Sequence, residues 1–170
     1  MDWLSAQLIA LQLAVATPTP SVPRAAVPVQ ADAAFAELSR MVGLWRPADR
    51  PDSPLRIRFA LTAGGTVLVE EWTARGKPHS LTLYHRDGAR LLATHYCPQG
   101  NQPRLVLTGR DAGGLRFGFL DATGLDPATE THQHDLWIDR SNPVHPVRSE
   151  IYVGKDGPGQ IERLRLVATK

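Results

Sequence analysis

The sequence predicts an all-β domain: an antiparallel up-and-down β-barrel of about eight to ten strands with one short N-terminal helix. Three observations predict it. From Trp45 onward the chain breaks into short apolar-polar runs of strand length. Between these runs sit Gly64-Gly65, Asp87-Gly88, Gly113-Gly114 and Asp156-Gly157, the chemistry of tight hairpin turns. No internal repeat of solenoid or propeller length interrupts them. A hairpin-linked meander this long exposes two strand edges unless it closes on itself, which favours a barrel over its rival, a β-sandwich.

Taken in order, Leu8–Ala16 is an apolar run too short to span a bilayer, ending in the small-x-small triplet Ala14-Val15-Ala16. It reads as an export leader over residues 1–16, although Met1-Asp2-Trp3 lacks the usual positive start. Pro18, Pro20, Pro23 and Pro28 make residues 17–30 an extended linker, and the barrel domain then occupies residues 31–170. Asp32 is the expected helix cap; Phe35, Leu38 and Met41 or Val42 recur at helical spacing, and Gly43 is the stop. Strands are predicted at Leu55–Thr62, Thr66–Thr73, Ser80–Arg86, Arg90–Cys97, Arg104–Thr108, Leu115–Asp121, Gln133–Asp139, Arg148–Val153 and Gln160–Ala168, with a further short one at Trp45. The long connection Ala122–His132 is expected to form a lip at one barrel end.

Composition excludes several classes. In 170 residues, Lys+Arg 19 against Asp+Glu 17 leaves a small excess spread along the chain, not the concentrated basic stripe of a nucleic-acid protein. One cysteine, Cys97, permits no internal disulfide and no four-cysteine zinc site. No integral membrane segment is expected in the mature chain. Phosphate-loop, serine-hydrolase-elbow and zincin motifs are absent.

Gly43-Leu44-Trp45, after a short helix and opening a strand, resembles the Gly-x-Trp signature of lipocalin-like barrels. Tyr84-His85-Arg86-Asp87-Gly88, Thr94-His95-Tyr96-Cys97, Gly100-Asn101-Gln102-Pro103-Arg104 and His132-Gln133-His134 resemble the pattern of a group of bacterial lipocalin-like proteins of the calycin superfamily. The resemblance covers about Leu38 to the C-terminus and implies the fold more than an activity, since the group has no agreed one. It also implies that Trp45 closes the barrel floor under a cation from the last strand, Arg163 or Arg165. Nitrobindins, haem-binding relatives, use a histidine near the C-terminus; the final strand here carries none, which counts against haem.

Residues two apart on a strand share a face. His95 therefore lies with Cys97 and opposite Thr94 and Tyr96, while Thr82 and Tyr84 oppose Leu83 and His85; the sequence leaves open which face looks inward. The candidate ligand-binding set is Trp72, Tyr84, His85, His95, Tyr96, Arg104, His132 and His134. Imidazole and phenol groups orient a ligand by hydrogen bonds, Trp72 supplies apolar surface, and Arg104 suits an acid bidentately. The same histidines also suit a purely structural role, donating to carbonyls at strand ends. Zinc would need three convergent ligands, which sequence does not demonstrate, and no metal or other cofactor is assigned. Cys97 lies about six to seven Å from His95 along a strand, which argues against a thiol nucleophile. One of Glu70 and Glu71 faces inward; both read most simply as ordinary polar strand residues. Trp137 joins Trp72 as a core candidate. The leading reading is an exported barrel that binds a small, partly apolar molecule. An enzyme using the histidine cluster and a filled structural module are the alternatives.

Overall fold

A computed structural model describes residues 29–169; the leader, and all but the end of the linker, lie outside the described residues. The described residues form one α-helix, α1 (Ala31–Ser39), a short 3-10 turn at Ala63–Gly65 and eleven strands. They are β1 (Gly43–Pro47), β2 (Leu55–Thr62), β3 (Val67–Ala74), β4 (Lys77–Asp87), β5 (Arg90–Tyr96) and β6 (Gln102–Asp111), followed by β7 (Gly114–Thr123), β8 (His132–Asp139), β9 (Val147–Gly154), β10 (Gly157–Pro158) and β11 (Glu162–Ala168). Each strand from β1 to β9 pairs antiparallel with the next; β9 then pairs with β11 and β11 with β1, closing a ten-strand ring. The two-residue β10 only extends the β9 hairpin. Among the described residues, no helix is long and apolar enough to cross a membrane.

The helix forms where expected, but its start differs. Gln30 occupies the N-cap without a side-chain bond, and Asp32 sits inside the first turn, where it pairs with Arg86 at 2.6 Å. The helix ends at Arg40, and Gly43 opens β1 instead of stopping the helix. Ala31, Ala34, Phe35 and Leu38 form its buried face, laid against β4 and β5 across one end of the barrel. Arg110 pairs with Glu37, and the Arg86 guanidinium lies 5.1 Å over the Phe35 ring.

That end is filled with apolar side chains. Ile57, Phe59, Leu68, Leu91, Leu105, Leu115, Phe117, Leu136, Ile138 and Leu166 alternate inward along their strands and are almost wholly buried. Tyr84 meets Phe117 edge-on at 5.8 Å. Trp45 belongs to this floor, but among the described residues no cation covers it: its indole donates to the Met41 carbonyl at 2.7 Å, and Arg165 turns outward to Asp49. Trp137 is not in the core either, since Leu136 and Ile138 take the inward positions. Its ring lies on the outer face under Arg116, 5.3 Å from the guanidinium, and donates to Asp111.

The opposite end is the mouth, ringed by the β1–β2, β3–β4, β5–β6, β7–β8 and β9–β10 connections. Three bulges lie here, leaving His79 unpaired between Ser80 and Pro78, Leu120 between Asp121 and Phe119, and His134 between Gln133 and Asp135. In the Gly100–Arg104 turn, Asn101 is buried and its Nδ2 donates to the Thr131 carbonyl at 3.0 Å, tying down the lip.

Candidate functional site

Towards the mouth, the inward positions change from apolar to polar. From β3 come Glu70 and Trp72, from β4 Thr82 and Tyr84, from β5 His95, from β8 Gln133, and from β9 Arg148, Glu150 and Tyr152. The centre is a charged triad. Arg148 Nε lies 2.6 Å from Glu70 Oε1, and its NH1 lies 2.9 Å from Glu150 Oε2. The Nε–H is not aimed at the Glu70 oxygen, so that contact is an ion pair without a hydrogen bond. The guanidinium also stacks 4.8 Å from the Trp72 ring. Glu70 is fully occupied, accepting from Trp72 Nε1 at 2.6 Å and from the Tyr84 hydroxyl.

Nearer the mouth the groups are only partly engaged. Gln133 Nε2 donates to Glu150 Oε2 at 2.6 Å, while its own Oε1 is buried with no partner. Flipping that amide would set its carbonyl against the carboxylate, so the orientation is fixed by charge. His95 Nδ1 lies 2.9 Å from Thr82 Oγ1, and its Nε2 lies 3.4 Å from the Tyr152 hydroxyl.

Burial and charge set the protonation states. Burial, with Arg148 nearby, pushes His95 down to about 4, so it is neutral at pH 7. Burial and Glu70 hold the Tyr84 phenol well above its ordinary value; burial and Glu150 do the same to Tyr152. Burial opposes the charges of Arg148 and Glu150, but their mutual attraction outweighs it, raising the first and lowering the second. Burial pushes the Cys97 thiol up, which suits an inert cysteine.

A pH dependence of stability follows from His95. The folded protein keeps it neutral down to about 4, whereas an unfolded chain protonates it near 6.5, so the unfolded state binds more protons between those values. Stability is therefore full above the upper value and falls as pH drops through that window, by up to about 3 kcal/mol for this group. Urea unfolding of the wild type across the window should show the loss, and His95→Gln should flatten it. Equal slopes in both proteins would remove His95 as the cause.

The predicted site residues divide into three places. Trp72, Tyr84 and His95 meet inside the barrel. His85, Tyr96 and Arg104 lie on the outer face, where they line a cleft of about 610 Å³ with Thr94 and Asp121. Arg104 is already paired there with Asp121, its Nε 2.6 Å from the carboxylate, so it does not offer a free fork to an acid. His132 and His134 pack together, ring centroids 5.8 Å apart, against Phe119 at 4.6 and 5.5 Å. His134 Nδ1 meets Asp135 at 2.8 Å, and burial and His134 lower the pKa of His132, whose Nδ1 is buried without a partner. Among the described residues, no group of three or more His, Cys, Asp or Glu side chains converges to hold a metal ion.

Sequence reasoning missed Arg148, Glu150, Tyr152 and Gln133, and undervalued Glu70. One signal was present: Arg148, Glu150 and Tyr152 stand two apart, on one face of a predicted strand. A polar face of that kind normally looks at water, and here it looks inward. No protein-family model matches the chain, and a comparison with curated proteins finds no match.

Proposed function

We propose that this protein is a small-molecule-binding barrel whose ligand sits in the polar half of the lumen. In this reading Trp72 offers apolar surface beside Arg148, while Glu150, Gln133, His95 and Tyr152 orient polar atoms. One observation carries it: a charged triad is buried where apolar side chains of similar volume would be as stable or more so. A barrel that only needed filling would continue the packing of its helix end. Binding is favoured over acid-base catalysis because His95, Tyr84, Tyr152 and Cys97 are all pushed away from neutrality. The resemblance to lipocalin-like barrels supports the reading by analogy of fold alone. An export leader over residues 1–16 would place that ligand outside the cytoplasm.

Native mass spectrometry of the gently purified full chain tests the proposal. A reproducible added mass is expected, lost in Gln133→Leu/Tyr152→Phe and kept in His132→Ala/His134→Ala. A bare chain mass for the wild type would rule out tightly held cargo and return the triad to a structural role. Retention of the mass in the lumen variant, with loss in the histidine variant, would move the site outside the barrel.

A further inference from the structure

Resting on the lumen-binding reading, we infer that the ligand presents a protonated amine with N–H donors to an acceptor-rich mouth formed by Glu150, Gln133, Tyr152 and Glu162. Formal charge is the first argument. Inside the barrel, Glu70 and Glu150 face a single guanidinium, Arg148, which leaves one negative charge in excess. His95 does not offset it, being held neutral at pH 7 by its burial.

The second argument is a like-charge pair. Glu162 of β11 stands directly across from Glu150 of β9 in the register. Like charges directly opposed on neighbouring strands destabilise a sheet, so a cation between them relieves a standing cost. Among the described ion pairs none involves Glu162, and Lys155, exposed in the turn above, pairs with neither acid.

The third argument is the unpartnered acceptor. Gln133 is wholly buried, its amide nitrogen is committed to Glu150 Oε2, and its carbonyl oxygen has no donor. A buried acceptor left in this state calls for a donor. Glu150 Oε2 takes both Gln133 and Arg148, and no described hydrogen bond or ion pair occupies its Oε1. An ammonium brings several N–H donors on one compact charge, which matches a carboxylate oxygen and an amide carbonyl side by side. The apolar remainder of such a ligand has the Trp72 side of the lumen to lie against.

Isothermal titration calorimetry with four probes sharing one hexyl chain tests this: hexylamine, N,N,N-trimethylhexylammonium, hexanoate and hexanol. Hexylamine is expected to bind saturably and most tightly. Glu150→Gln and, separately, the exposed Glu162→Gln should each weaken it by about tenfold, with the trimethyl analogue weakened similarly in the wild type. Glu162→Gln leaves the triad intact, so its result stands even if Glu150→Gln unfolds. Hexanoate binding as tightly as hexylamine would overturn the charge assignment while leaving the lumen reading in place. Equal binding of hexylamine and its trimethyl analogue would overturn the donor requirement. If no probe binds and the native mass is bare, the lumen reading fails with it.

Discussion

Arg148→Met should cost about 3–5 kcal/mol of unfolding free energy at neutral pH, the penalty of stranding buried charge. The Arg148 side chain is 2% exposed and stands between carboxylates whose side chains are 0% and 13% exposed. Methionine matches much of the volume, so the loss measures charge and not a cavity. With the guanidinium gone, Glu70 and Glu150 repel each other across the lumen, and one must take up a proton. The variant should accordingly recover part of its deficit as pH falls toward the carboxylate range. Arg148→Lys keeps the charge but not the forked reach to both acids, so it should fall between. Equilibrium urea unfolding of the three proteins makes the comparison. A methionine variant within about 1 kcal/mol of the wild type would show that water screens the triad, as it does an exposed pair.

Gly114→Ala should be at least as damaging, on the order of 4 kcal/mol or more. Gly114 has φ +100, and a Cβ there would stand 2.2 Å from the Ile138 carbonyl oxygen and 2.6 Å from the Asp139 Cα. Those are backbone atoms of the adjoining strand, and no rotamer change moves them aside. The strand pair must separate where Leu115 meets Ile138. Gly88→Ala is the control: its φ is +58 and nothing lies within 4 Å, so only the backbone preference is lost, about 1–2 kcal/mol. Thermal unfolding, with the yield of soluble protein, separates the two. Similar losses at both turns would mean that the β7–β8 pair yields more readily than its packing implies.

Both glycines look alike in the sequence, each closing a hairpin signal, and that sameness marks what was legible. Turns and strand number follow from local chemistry: Asp87-Gly88 joins β4 to β5 through Asp87 opposite Arg90, and Leu55–Thr62 is found at the predicted bounds. The absence of a bulge at that turn also settles the hairpin faces, with Tyr84 and His95 inside and His85 and Tyr96 outside. Such a choice depends on the whole ring, so no single strand reveals it. The triad was harder to see because β9 reverses the usual rule. Its more apolar face, with Ile151 and Val153, looks outward, while Arg148 and Glu150 look in. Periodicity detects that a strand has two faces; only its neighbours decide which is the interior. His132 and His134 do share a side, as residues two apart on a strand should, but the bulge beside them, which no turn residue announces, shifts the alternation of the residues that follow.

The pairing of β1 with β11 joins Trp45 to Ala168, nearly the two ends of the domain. The loop this contact closes spans almost every other element, so it is among the most entropically costly in the domain. Without the seven residues of β11 the ring would be open, with free edges on β1 and β9. Glu70, His95, Gln133, Arg148 and Glu150 all stand on strands upstream of β11, so this last strand completes the wall of the lumen without supplying any of those groups. Its one acidic residue, Glu162, stands opposite Glu150. Loss of β11 would therefore open the polar lumen sideways, through the wall, as well as at its mouth.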